Sequence, residues 1–443
     1  MYLLIGILVL FLSFFFAKKV LGELSFTRLN VMTLIFYQQF LVMVWIGSIL
    51  AIYHLENHYI ISAIKEDNIR FEVFLAVMLA MLFVPATIVV CFFIFKINGP
   101  KIYREYISKP FEIENEKQFF VIFVLFTIVS AASITYIFVM NGSVPILKVF
   151  AGADAYELAK ERINISRNFP GNEYVKNLLG LALAPLLSYI SYIYMKIKGG
   201  RKWRILNNLL IFLSVLAVTY NLSKTPIFTY LFGFLVINSL MNKKLKKQYI
   251  IIFSLLLMVM ILIQYVIVFE ASYDQITNIN SGPIGRLIFT QLSGLFYTFR
   301  LFPDYIDFIG IRALPDFLLN PFGINHIETS RLIMSIVNSK GIEEGTAGVV
   351  NTLFVGEAYA MYGWYGIVFS IFYVGIYIAC MLMFFLLSKK TPIKVALFAY
   401  LSISVSQVIT GGFSGFIYNS VLIVLVILLI ILRLSTDVLK GVR

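Results

Sequence analysis

The sequence predicts an all-α, polytopic integral membrane protein, on three observations. Of 443 residues, 60% are hydrophobic and only 13% are charged, with a mean hydropathy of +0.89, values far from those of a soluble domain. Apolar runs recur at about the twenty residues needed to cross roughly 30 Å of hydrocarbon. Lysine and arginine gather in alternate connections between those runs, the pattern that sets membrane orientation. The net charge of +13 would point to nucleic acid in a soluble chain. Here it sits in short loops, so orientation accounts for it and no nucleic-acid partner is expected.

The first run, 2–17, has no basic residue before it and is followed by Lys18 and Lys19, the charge order of a retained anchor rather than a secretory signal. Further runs at 31–53, 71–95, 119–140, 175–195, 205–222, 226–240, 249–269, 364–388, 392–410 and 413–433 bring the expectation to about 11 transmembrane helices. The connections 18–30, 96–118, 196–204, 241–248 and 389–394 hold three, five, five, four and three Lys or Arg. Those at 54–70, 220–225 and 411–415 hold two, one and none. This alternation predicts an outside N-terminus and an inside C-terminus, which requires an odd number of spans. The apolar stretch 286–302 is therefore expected to be a re-entrant or surface-lying helix. No internal repeat or soluble domain stands out. The expectation is a single membrane domain, 1–443, whose outward loops 141–174 and 270–351 form a cap.

Cys91 and Cys380 lie in predicted spans, and the histidines are His54, His58 and His326. Neither a disulfide framework nor a metal site is suggested, and no cofactor is expected. In the first outward loop, Asp154 and Glu157 have the form of a helix N-terminus, opening a short helix that ends before Pro170-Gly171. Arg162 or Arg167 on it would either be solvated or meet an anionic headgroup. In the second, helical spacing brings Arg286, Ser293, Tyr297 and Arg300 within about 40° of one another. The two arginines are about 21 Å apart along such an axis, too far to grip one anionic group unless the helix breaks, with Gly294 the expected place. Their plainer role is to reach the membrane interface. Beyond Pro303 the loop is rich in turn residues and aromatics, as in an ordered cap.

The stretch Thr352-Leu-Phe-Val-Gly356-Glu357-Ala-Tyr359-Ala-Met-Tyr362-Gly363-Trp-Tyr-Gly366 ends the long outward loop and leads into a span. It resembles the Wzy-type oligosaccharide repeat-unit polymerases of bacterial polysaccharide assembly. Asn221-Leu-Ser223-Lys224-Thr225-Pro226 is similar to that family's Ser-Arg/Lys-Thr turn, and Asn141-Gly-Ser-Val-Pro145 to its approach to a charged outward loop. Arg312 and Gly323 match the spacing of an arginine and glycine found in some members. The similarity covers the span layout and these short stretches.

The resemblance implies a multi-pass glycosyltransferase of the bacterial cytoplasmic membrane, with its active site facing outward. It would transfer a growing glycan from undecaprenyl pyrophosphate to a sugar hydroxyl of a new lipid-linked repeat. The implied partners are undecaprenyl-pyrophosphate-linked oligosaccharide, membrane lipid, a chain-length regulator and a flippase. Arg286, Arg300 and Lys224 are then expected to contact the pyrophosphate, and Arg162 or Arg167 the second lipid-linked substrate. Arg312 and Tyr359 complete the expected binding set. Glu357, beside Gly356 and ahead of a helix break at Gly363, is the expected base, with His326, Glu343 and Glu344 as alternatives; its plainer role is capping or ion pairing. Two other functions fit the same layout: an O-antigen ligase, and a flippase or transporter of lipid-linked sugars with no chemistry.

Overall fold

The structure is a computed structural model. It describes residues 1–113, 116–142, 145, 148, 152, 155–221, 223–263, 265–266, 272–280, 282–344, 347–418 and 426. These residues form helices joined by turns, with no strand among them. Among the described residues, six helices are long and apolar enough to cross a membrane: α1 (Tyr2–Leu21), α2 (Val31–Ile52), α3 (Asp67–Ile94), α5 (Glu116–Asn141), α7 (Val175–Lys198) and α14 (Leu353–Leu387). The chain is thus an all-α, multi-pass membrane protein. Four other expected spans coincide with shorter helices, α8 (Arg201–Val218), α9 (Lys224–Leu240), α10 (Lys247–Ile263) and α15 (Pro392–Val408). Most of the run 413–433 lies outside the described residues.

The chain divides into two compact units. Unit 1 comprises Met1–Tyr106, Lys247–Leu387 and Ser402–Tyr418. Its helices begin and end where local chemistry dictates. Asn30 caps α2 by accepting from the Thr33 amide at 3.0 Å, and Gly22 closes α1 in the left-handed conformation. Residues 34–45 of α2 are wound as a π-helix. The helices α3 and α14 supply much of the core. Val73, Val77, Met81 and Val84 on one, and Ile367, Ile371, Val374 and Ile378 on the other, are fully buried at spacings of three and four residues, the helical repeat.

The expected break at Gly363 is present. Tyr362 (φ −144°, ψ 24°) and Gly363 (φ 61°, ψ −145°) interrupt α14. A side chain at position 363 would meet both that left-handed backbone and the Phe308 ring, 3.0 Å away, so glycine is required there. The stretch 286–302 differs from expectation. It breaks at Phe289, not Gly294, into α11 (Pro283–Ile288) and α12 (Thr290–Leu301), so Arg286 and Arg300 stand on separate helices. Gly294 lies within α12, its amide donating to the Asn351 carbonyl at 3.2 Å. Its small size serves that approach rather than a kink.

Unit 2 comprises Ile107–Lys246, Ser388–Leu401 and Asn419–Arg443. Trp203 of α8 is fully buried, stacked on Tyr194 at 4.3 Å, with its indole N–H donating to Glu116 at 2.9 Å. Lys390 is buried, donates to the Ile107 carbonyl at 2.7 Å and lies over the Phe111 ring. Burial pulls its ammonium down to about 8, because desolvation disfavours the charged form. The short helix α6 (Ala155–Arg167) forms before Pro170 as expected, while Asp154 lies outside the described residues.

Candidate functional site

In unit 1 the long loop is tied down by backbone groups. The Ile309 amide donates to the Ala360 carbonyl at 2.9 Å, next to the α14 break, and the Ile327 amide donates to the Arg312 carbonyl at 2.8 Å. Between these ties the chain makes one-turn helices at Gly310–Ala313 and Asp316–Leu319. It then enters the amphipathic helix α13 (Thr329–Val337), which buries Thr329 and Ile333. Outside that buried face lies a cavity of about 380 Å³ lined by His326, Glu328, Arg331, Leu332, Ser335 and Ile342. That volume is within the range of small-ligand sites, and the cavity is broadly open at the protein surface.

His326 is oriented by two carbonyls, Nδ1 lying 2.7 Å from the Leu314 oxygen and 3.2 Å from that of Arg312. Carbonyls only accept, so Nδ1 carries a proton, and in the neutral tautomer that this defines Nε2 is the acceptor. Glu328 precedes α13, accepts from the Ser330 hydroxyl at 2.9 Å, and Arg331 is exposed in the helix's first turn. A base, a cation and a carboxylate thus share one cavity.

Glu357 is 6% exposed. Its Oε2 accepts from the Ser414 amide at 2.6 Å and its Oε1 from the Ser414 hydroxyl at 3.2 Å. It therefore caps the short helix Ser414–Ile417, satisfying one of the amides a helix start leaves without partner. It also stands within electrostatic reach of His326 and Glu328. Tyr359 is buried against Phe299, ring centroids 4.1 Å apart, and against Phe308 and Trp364. Glu72 and Asp304 are close enough to act on it electrostatically.

The expected arginines are distributed differently. Arg300 pairs with Glu66 at 3.6 Å and donates to the Ala63 carbonyl at 3.3 Å. Arg286 is exposed, with its guanidinium 5.5 Å from the centroid of the Tyr265 ring. Arg312 donates through Nε to the Ile309 carbonyl at 3.2 Å, adjoining the His326 cradle. Lys224 begins α9 in unit 2, where the neighbouring Asn221 donates to Ser166 of α6 at 2.9 Å. The Lys224 turn therefore lies beside the helix that bears Arg162 and Arg167. Arg162 is exposed, and the side chains of Arg167 and Lys224 lie outside the described residues. Burial raises the Tyr220 hydroxyl beside that turn above its ordinary value.

Two clusters went unread in the sequence. Arg70 and Glu56 form a buried bidentate pair at 2.9 and 3.1 Å, and Arg70 also donates to the Ile64, Ala51 and Ile61 carbonyls. A lone arginine just ahead of an apolar run, at the end of a loop containing glutamate, was its signal. The other, Glu72 with Asp304 and Tyr359, joins residues too distant in sequence to show any pattern. Among the described residues no group of three or more His, Cys, Asp or Glu stands together in a way that could hold a metal ion. No family model, no curated protein and no solved structure matches the chain.

Proposed function

We propose that the protein is a Wzy-type polymerase of the bacterial cytoplasmic membrane with about 11 spans, working on the outward side. It joins undecaprenyl-pyrophosphate-linked oligosaccharide repeat units. The observation that carries the reading is the cavity in which His326 offers Nε2 beside Arg331, within an ordered loop that leads to the Gly356–Gly366 motif.

In this reading the acceptor sugar hydroxyl gives its proton to His326 Nε2, and its oxygen forms a bond to the donor's anomeric carbon. The bond from that carbon to the pyrophosphate oxygen breaks, and undecaprenyl pyrophosphate leaves with the electron pair. Arg331 and Arg312 stabilise the charge that develops on it. His326 replaces Glu357 as the proposed base because both oxygens of Glu357 are occupied by Ser414. Glu357 instead holds the 411–414 turn in position, and Tyr359 and Arg286 remain in the proposed substrate-binding set.

The oriented histidine favours one second reading, an O-antigen ligase, which uses the same donor and a different acceptor. The test is to incubate the purified protein in nanodiscs with lipid-linked repeat units alone. A ladder of products that disappears in His326→Ala supports the polymerase. Transfer only when a second acceptor is added supports the ligase. Movement of substrate between leaflets without transfer overturns both in favour of a transporter.

A further inference from the structure

We propose that unit 1 carries a binding site for the headgroup of an anionic phospholipid, at the end where α1 and α3 finish and α4 (Gly99–Ser108) begins. Charge order predicts this end to face the cytoplasm.

Three helix ends meet there. A Cβ at Gly99 would lie 2.0 Å from the Val20 carbonyl and 2.7 Å from the Phe92 ring, so the start of α4 rests directly on the ends of α1 and α3. Only glycine allows that approach. Around this junction Lys18, Lys19, Lys96, Lys101 and Arg104 are all exposed. Their sequence positions put them in the last turn of α1, just past α3, and on the first turns of α4.

None of the five forms an ion pair among the described residues. Lys18 and Lys19 lie only over the rings of Phe14 and Phe15, 6.0 Å away, and Arg104 donates through Nε to the Pro100 carbonyl at 3.1 Å. The acidic residues nearby do little to neutralise them. Glu23 is occupied by Arg28 at 3.3 Å, which leaves Glu105, exposed on α4. The buried face of α4 carries Tyr103 and Tyr106, so its basic face is the one left open.

Apolar surface adjoins this charge. Phe93 is 82% exposed and Phe95 62%, at the membrane end of the same junction. Unpaired cations above exposed aromatics fit a molecule with an anionic head and a hydrocarbon tail. Orientation alone requires positive charge in the connection; it does not require five cations to surround one packed junction with no ion pair formed among the described residues.

The experiment counts lipids retained by the full-length protein in detergent, using native mass spectrometry with phosphatidylglycerol, phosphatidylcholine or inorganic phosphate as probes. Phosphatidylglycerol should be retained in preference to phosphatidylcholine. Each cation removed should lower that retention about fivefold, the effect of one Lys or Arg near an anionic surface. Lys101→Gln with Arg104→Gln, and separately Lys18→Gln with Lys19→Gln, should both show the loss. Lys243→Gln with Lys244→Gln, an exposed basic pair in unit 2, should not. Equal retention of the two lipids overturns the proposal, as does an equal loss in the unit 2 pair. Displacement of phosphatidylglycerol by inorganic phosphate at equal concentration also overturns it, by pointing to a free-anion site. The two patch pairs are independent, so a folding defect in one leaves the other to decide.

Discussion

Two loops of unit 1 use the same residue types to opposite ends. In the loop before α3, Arg70 spends its donors on Glu56 and three carbonyls, and His58 is buried against Phe289 and Thr290. In the loop before α14, His326 has one nitrogen tied to carbonyls and Arg331 is exposed at a cavity. The difference lies in which groups the fold leaves unspent. Consumed donors seal a loop onto the helices, whereas a half-consumed histidine is oriented and still able to accept a proton.

Breaking the sealed loop should have the largest effect. Arg70→Ala strands the Glu56 carboxylate in a buried position, and loss of one partner of such a pair costs about 3–5 kcal/mol. Thermal unfolding in detergent should show a large fall in midpoint, with glycan transfer lost only as folding is lost. His326→Ala should do the reverse, lowering transfer by about 10²–10⁴-fold, the usual worth of a general base, with an unchanged midpoint. If both variants behave alike, the contrast between the loops fails.

Smaller effects sharpen the comparison. Arg331→Gln should slow transfer by roughly ten- to a hundredfold, from loss of a charge-assisted contact of about 1.5–3 kcal/mol, which single-turnover kinetics would read. His58 gives a pH signature. Burial lowers His58 to about 4 from its ordinary 6.5, so between these values the unfolded chain binds the proton more readily than the folded one. Stability contributed by the neutral ring is present above about pH 6.5 and is lost as pH falls towards 4. Midpoints measured across that window should drop on acidification, and His58→Gln should flatten the slope.

The helical membrane character was legible because apolar runs of span length need no tertiary context to be recognised. The α14 break was legible for a similar reason, since Gly363 within an aromatic run marks a special backbone position. The break at Phe289 was not, because Gly294 offered the more obvious weak point and only the distant Asn351 explains its use. The site was legible in region rather than in detail. Its loop stood out by length and polarity, but the roles of His326 and Glu357 turn on Leu314 and Ser414, partners that no local spacing reveals. The grouping of Lys224 with α6 likewise depends on a single contact between distant turns, Asn221 to Ser166.

The interruption at Tyr362 and Gly363 also bears on how this protein tolerates different bilayers. Below it, residues 364–387 make a rod of about 36 Å at the usual helical rise, somewhat longer than a typical hydrocarbon layer. A helix of excess length meets a thinner membrane by tilting. Because the joint lies between that rod and the segment bearing Glu357 and Tyr359, a change in the rod's tilt is absorbed first at Tyr362 and Gly363. Insertions or deletions within the rod should therefore be accepted more readily than insertions at the joint, which would rotate Glu357 away from Ser414.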